Sequence, residues 1–356
     1  MVFFKSFIEK LLKEGNIVDI ATNECNGDSC VPECYREWGC MVYPISCTRS
    51  PLKLGNDRAI GEIRDIVRRG KYDIVHCHTP IAAACTRLAC RNLRKNNNTK
   101  VLYTAHGFHF FRGAPLKNWL LFYPIEWLCS WWTDVLITIT KEDYIRAKKT
   151  LHAKKTDYVP GVGVDTKKFV PNKAGRERIR KELGLKDEQT MILSVGELND
   201  NKNHISVIRA IKNIDYVYVI VGKGDKKKDL EKVAKENNVD LRLLGYREDV
   251  ADIYNAADVY VLPSKREGLN VSIMEAMASG RSVACGKIRG NIDLIKQNET
   301  LFNPQKLEEI KRAITVALEY KDSFGSGNKN RVNKYSIKMV NEKMFIIYKE
   351  CGREFI

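Results

Sequence analysis

Short runs of β-branched and apolar residues alternate with stretches whose apolar positions recur every three or four residues along most of the chain. A strand buried on both faces reads as a continuous apolar run, and its covering helix shows a 3.6-residue period, so the pattern predicts βα units on parallel sheets. In the first half it predicts strands at 17–21, 41–45, 73–77, 101–104, 134–139 and 157–159. Helices are expected at 59–69, 80–95, 116–132 and 141–150. An opening helix has the stripe Phe4, Phe7, Ile8, Leu11 and Leu12, and Gly15 is its C-terminal cap. After a linker at 160–173 that contains Pro and Gly, the alternation restarts. Strands are expected at 191–195, 217–221, 241–244, 259–262 and 282–284, and helices at 205–213, 227–237, 250–255, 271–277 and 307–320. The Gly, Ser and Asn content of 324–330 predicts a loop, followed by a last helix at 336–350.

Two such halves give an α/β protein of two doubly wound domains, residues 1–165 and 166–335, with 336–356 packing back on the first. Ligands of such sheets bind at the carboxyl ends of the strands. A composition of 44% hydrophobic and 29% charged residues excludes a disordered or fibrous chain. The longest apolar stretch, 119–132, is interrupted by Pro124 and Glu126 and falls short of the roughly 20 residues a bilayer requires. Lys5, Glu9, Lys10 and Lys13 break any signal-peptide run, so a cytoplasmic location is expected. Eleven cysteines cannot all pair within one chain, which predicts reduced thiols. Cys25, Cys30, Cys34 and Cys40 lack C-x-x-C spacing and read as scattered thiols rather than zinc ligands. A net charge of +16 favours anionic partners: nucleic acid, an acidic membrane surface or phosphorylated small molecules. No reading helix, zinc finger or RNA-binding signature accompanies it, which argues against nucleic acid.

The richest segment is 263–280, Pro-Ser-Lys-Arg-Glu-Gly-Leu-Asn-Val-Ser-Ile-Met-Glu-Ala-Met-Ala-Ser-Gly. It leaves an apolar strand and opens a helix, so the first backbone N–H groups of that helix are available to an anion. Gly268 permits close backbone approach. Glu267 and Glu275 are eight positions apart and could flank one bound molecule, or simply be a loop charge and a carboxylate favoured by the helix dipole. In Ser194-Val-Gly-Glu-Leu-Asn-Asp-Asn-Lys-Asn-His204, Lys202 follows a Gly turn, where an ammonium can meet a diphosphate or simply be solvated. His106, in Tyr103-Thr-Ala-His-Gly107, sits at a predicted strand end, and His76, His78 and His109 have weaker claims. The segment 108–132 is rich in Trp, Tyr and Phe beside Arg112 and Lys117, a composition that serves either a core or a membrane interface.

Residues 249–295 around that segment resemble the donor-binding region of the family-4 retaining glycosyltransferases, whose hallmark is two glutamates separated by seven residues in an E-G-x-x-x-x-x-x-E-A setting. The Thr-x-His-Gly loop, the aromatic stretch and Pro160-Gly-Val-Gly-Val-Asp165 resemble bacterial capsule, exopolysaccharide and O-antigen members, so the likeness covers nearly the whole chain. It implies a GT-B fold: two Rossmann-like domains with a cleft between them. It also implies a metal-independent, cofactor-free transfer of a hexose or N-acetylhexosamine from a nucleotide sugar, UDP-linked by expectation, to a lipid-diphosphate-linked saccharide. In that reading Glu275 holds the ribose hydroxyls and Glu267 the donor sugar. The backbone of Gly196, Gly268, Leu269 and Asn270 lies alongside the donor, Lys202 and Arg247 supply positive field, and His106 stands near the transferred sugar. The expected location is the cytoplasmic face of an anionic membrane, held peripherally. The family shows Gly-Arg-Leu where this chain has Gly196-Glu197-Leu198, which removes one expected phosphate contact. A polyanion binder and a GT-B-shaped UDP-sugar epimerase are the alternatives; neither accounts for the Glu267/Glu275 segment. The family also has an apolar strand and a small-residue turn before the first helix. The helix here begins at the first residues, which predicts a chain short of its first strand, poorly stable and weakly active.

Overall fold

The structure, a computed structural model, describes residues 4–23, 33–48, 55–96 and 98–352. The chain divides into two compact units, Met1–Val162 with Val340–Ile356, and Gly163–Met339. Among the described residues no group of His, Cys, Asp or Glu could hold a metal ion, and no helix is long and apolar enough to cross a membrane. Cys25 and Cys30 lie outside the described residues, and Cys34 and Cys40 are free thiols.

The first unit runs α1 (Lys5–Lys13), β1 (Ile20–Thr22), α2 (Cys34–Glu37), β2 (Val42–Pro44), α3 (Asn56–Gly70), β3 (Ile74–His78), α4 (Pro80–Cys90), α5 (Leu93–Asn96), β4 (Lys100–Ala105), α6 (Leu116–Ser130), β5 (Val135–Thr138), α7 (Lys141–Thr150) and β6 (Lys155–Tyr158). β3, β4, β5 and β6 form one parallel sheet in that order, and β1 and β2 form a separate parallel pair. All of β5 and β4 from Val101 onward are buried, as expected of strands with helices on both faces. On one face, Phe7 and Leu11 of α1 meet Leu102, Val135 and Ile137 together with Val340, Met344 and Phe345 of the last helix. The other face carries a buried ion pair: Arg87 of α4 donates to Glu126 of α6 at 2.9 Å, and the Tyr103 hydroxyl donates to the same carboxylate at 2.9 Å. Expected as one helix, residues 80–95 break into α4 and α5 at Arg91–Asn92.

The second unit runs α8 (Lys173–Glu182), β7 (Thr190–Val195), α9 (His204–Ala210), β8 (Tyr216–Val221), α10 (Lys227–Glu236), β9 (Asp240–Gly245), α11 (Val250–Ala256), β10 (Val259–Leu262), α12 (Val271–Ala278), β11 (Ser282–Gly286), α13 (Arg289–Leu294), β12 (Leu301–Phe302), α14 (Leu307–Glu319) and α15 (Lys321–Val332); α16 (Ile337–Cys351) closes the chain. Its parallel sheet has the order β12-β11-β10-β7-β8-β9. The order reverses between β10 and β7, the point where open sheets of this kind present a crevice.

Besides α2, α13 and β12, which the pattern did not predict, two longer elements depart from the sequence reading. Residues 324–330, expected as a loop, lie inside α15. Small residues are needed there for packing: a Cβ on Gly325 would lie 2.2 Å from the Gly280 carbonyl oxygen, and Asn328 donates to the Arg281 carbonyl at 3.0 Å. α8 was not anticipated because its contacts are made by cations rather than an apolar stripe. Arg176 and Arg180 reach Asp258 and the carbonyls at the end of α11, and the Asn172 side chain caps the helix by accepting from the Gly175 N–H at 3.1 Å.

In an exposed helix Gly→Ala stabilises by roughly 1 kcal/mol. Gly325→Ala is expected to do the opposite, lowering stability by about 1–3 kcal/mol through overpacking against Gly280. Chemical denaturation of the two proteins measures the sign, and a gain in stability would remove the proposed contact.

Candidate functional site

In the second unit an open cleft of about 1030 Å³ lies at the carboxyl ends of β7, β8 and β9. Its floor is built by loops in unusually close contact. A Cβ on Gly222 would stand 1.9 Å from the Gly196 carbonyl oxygen, and one on Gly224 would stand 2.3 Å from that of Leu198. Only glycine fits at either place. The Gly-Lys-Gly sequence after β8 was not singled out beforehand, although a Gly-x-Gly directly behind an apolar strand was the available signal.

The loop after β7 returns toward the segment before α12. Asn201 accepts from the Lys265 N–H through its carbonyl at 2.8 Å and donates to the Arg266 carbonyl at 3.0 Å. This apposition brings Lys202 to Glu267, with the ammonium 2.7 Å from the carboxylate and both side chains largely shielded from solvent. Lys202 also lies over Gly196, where a Cβ would come 3.1 Å from its Cε, so a side chain at 196 would crowd it. Farther along, Gly290 fits under Gly268, where a Cβ would be 1.7 Å from the Gly268 carbonyl oxygen, and Arg289 donates to the Glu267 carbonyl at 3.3 Å.

Leu269 is buried, and the Asn270 side chain caps α12 by accepting from the Ile273 N–H and the Ser272 hydroxyl. Both side chains are therefore committed to structure, and only their backbones are available to a ligand. The first N–H groups of α12 have no acceptor within the helix. Glu275 lines the cleft and accepts from the buried Tyr254 hydroxyl at 2.9 Å. Burial pushes its carboxyl up to about 7, against the opposing pull of the Tyr254 hydrogen bond and the Lys168 charge.

Arg247 also lines the cleft, but its guanidinium is already engaged, with Asp249 at 2.8 Å and Glu182 at 2.6 Å. It was expected to add to the positive field; two carboxylates offset its charge instead. Lys168 and Lys223 line the same cleft and were missed, because among 60 basic residues a loop lysine carries no sequence signal. Glu197 faces the cleft and accepts from the Asn199 amide at 2.8 Å.

His106 belongs to the first unit, beyond the end of β4. Its Nε2 is 3.2 Å from Nδ1 of His78, whose ring lies 4.2 Å from that of His76. His76 is hydrogen-bonded to the Tyr348 hydroxyl at 2.7 Å and to Thr104 at 2.8 Å. Burial lowers all three imidazoles from their ordinary range, His76 to about 3, so the cluster is neutral at pH 7. Thr79, directly after His78, has φ 63°, a strained conformation for a β-branched residue. His109 is stacked on Phe122 at 4.3 Å instead of joining the cluster.

Residues 175–339 match the family model for glycosyl transferases group 1, and residues 1–140 match a glycosyl transferase 4-like model. The glycosyltransferase assigned as EpsD in Bacillus subtilis is 36% identical over 73% of this chain and 70% of its own length. An Escherichia coli UDP-Gal:alpha-D-GlcNAc-diphosphoundecaprenol alpha-1,3-galactosyltransferase is 33% identical over 72% of this chain and 68% of its own. Among solved structures, Anabaena HepE in complex with UDP superposes with a TM-score of 0.77 at 15% identity, covering 94% of this chain and all of that one. The sucrose-phosphate synthase of Thermosynechococcus elongatus gives 0.76 at 19% identity, covering 98% and 92%. The fold is GT-B.

The raised carboxyl of Glu275 makes stability depend on pH in a defined sense. Between about 4.5 and 7 the folded chain holds a proton there that the unfolded chain has released, so this group's contribution to stability falls as pH rises through that window. The loss is on the order of 3 kcal/mol once pH exceeds 7. Glu275→Gln is expected to gain on the wild type as pH rises from 5 to 8, followed by denaturant titration. A constant difference between the two would remove the shift.

Proposed function

Because the chain belongs to the glycosyltransferases, we propose that it is a retaining hexosyltransferase. It moves a hexose or N-acetylhexosamine from a UDP-sugar to a lipid-diphosphate-linked saccharide in surface polysaccharide synthesis, at the cytoplasmic face of an anionic membrane. The observation that carries the reading is the Lys202–Glu267 pair beside the start of α12. Support for donor and acceptor comes from the galactosyltransferase relative, named for UDP-Gal and a diphosphoundecaprenol-linked sugar, and from HepE with UDP.

In this mechanism the donor diphosphate takes the Lys202 ammonium from Glu267 and lies against the N–H groups that open α12. Lys202 stabilises the departing diphosphate, the task that a divalent cation performs in other transferases. Glu267, relieved of its partner, accepts from hydroxyls of the donor sugar, and the carboxyl oxygens of Glu275 accept from the ribose hydroxyls. The acceptor hydroxyl attacks on the face the diphosphate leaves, and the leaving phosphate oxygen takes its proton. We assign His106, neutral and hydrogen-bonded to His78, to the transferred sugar, because a neutral imidazole accepts from a hydroxyl without opposing the positive charge of the transition state.

Lys202→Ala and Glu275→Ala are expected to weaken UDP-sugar binding by about 1.5–3 kcal/mol, the loss of a hydrogen bond to a charged group. His106→Ala is expected to lower kcat about 10²–10³-fold with UDP affinity retained. Calorimetric titration with UDP, and turnover of radiolabelled UDP-sugars on a diphosphate-linked lipid acceptor, read these two quantities separately. Wild-type kinetics in both Lys202→Ala and Glu275→Ala would sink the site assignment, and product of inverted anomeric configuration would sink the retaining mechanism.

A further inference from the structure

α6 has two apolar faces, and the core uses one. Trp119, Phe122 and Tyr123 pack on Phe108, Phe110 and Leu136, and Glu126 points inward to Arg87. The outer face holds Leu116, Leu120, Leu121, Trp127, Leu128 and Trp131, each between 39% and 73% exposed. Their separations of four, seven and eleven residues stack them along one side of the helix. Lys117 is the charged residue among the exposed positions of α6, and no acid is exposed there. So large an apolar stripe on a surface helix marks an interaction site.

We propose that the outer face of α6 is a membrane-docking face, lying flat at the boundary between headgroups and acyl chains of an anionic bilayer. This deepens the functional reading above and rests on it for the lipid nature of the acceptor. Three observations select a bilayer over a second copy of the chain. Cations stand at both ends of the stripe. Arg112 and Lys117 are at its start; at its end Arg94, which also donates to the Trp131 carbonyl at 3.1 Å, and the exposed Lys154 share Asp134 at 2.6 and 3.0 Å, two cations to one carboxylate, which leaves that end net positive. Either orientation of two copies would set cation against cation, whereas phosphate headgroups complement both ends. Trp127 and Trp131 supply the amphipathic indole rings that favour the interface, and Trp131 is stacked on His152 at 4.2 Å, which holds its ring in place. Finally, α6 directly follows the loop that starts at His106, so docking this helix carries that loop to the depth where the diphosphate of a lipid-linked acceptor lies. At 15 residues α6 is about 22 Å long, too short to span and long enough to lie in the plane.

The test uses the full chain with vesicles of phosphatidylcholine, with and without phosphatidylglycerol, in a flotation assay. The wild type is expected to float with the anionic vesicles at low salt and to be released by high salt. Leu120→Glu with Leu128→Glu, both at exposed positions, is expected to lower vesicle affinity at least about tenfold, with melting temperature and UDP affinity unchanged. Lys117→Glu is expected to weaken binding to anionic vesicles alone. Transfer to a short-chain, water-soluble acceptor is expected to survive the double substitution, while transfer to acceptor in vesicles falls with vesicle affinity. Equal flotation of the double variant and the wild type overturns the proposal. So does a wild-type dimer that the double variant dissociates and that ignores vesicles. A wild type that floats but binds no UDP supports the docking face and overturns the enzymatic reading instead.

Discussion

Three backbone carbonyls pressed against glycines set the geometry on which the second unit's cleft depends. Gly222 under Gly196, Gly224 under Leu198 and Gly290 under Gly268 each leave no room for a single carbon. The first two join the loops behind neighbouring strands β7 and β8; the third joins the loop before α12 to the start of α13. Close approach of these loops removes the side chains that would otherwise fill the crevice where the strand order reverses, leaving backbone and a few long polar side chains to face a ligand. The arrangement also makes the placement of Lys202 and Glu267 a property of rigid loop contacts more than of their own flexible stems.

The electrostatics of the two units differ in kind. In the cleft, charges are paired before any ligand arrives: Lys202 with Glu267, and Arg247 with Asp249 and Glu182. An anion at Lys202 must therefore be recognised by exchange of partners, while Lys168 and Lys223, which line the same cleft, add ammonium groups it can meet directly. The histidine cluster of the first unit is kept uncharged by burial, and its members act through orientation. Hydrogen bonds on both sides of His76 set the direction of its ring, whose contact with His78 bears in turn on His106.

Most of the alternation was legible beforehand because strands such as 259–262 and helices such as 271–278 are buried by apolar side chains, which periodicity detects. Glu267, Glu275, Lys202 and His106 were singled out through spacing and resemblance, and the structure brings Lys202 to Glu267. What escaped was bound by other forces. α8 is held by arginines reaching carbonyls, which carries no hydrophobic period. α15 contains glycines and asparagines that ordinarily break helices, because its neighbour lies too close for anything larger. The engagement of Arg247 by Glu182 spans 65 positions, a pairing no local pattern reveals. The contact of His78 with His106 joins residues 28 positions apart, which no local pattern reveals.

The first unit is assembled from two pieces of chain separated by the whole of the second. Val340, Met344, Phe345 and Ile347 of α16 fill its core, and Tyr348 completes the bonding of His76. During synthesis, then, the leading 162 residues emerge with part of their interior uncovered and wait while the following 177 are translated, roughly 10–35 s at about 5–20 residues per second. The second unit, continuous in sequence, is free to finish first. The bonding of His76 is complete only once α16 has emerged, so the core of the first unit closes after all of the second unit has been translated.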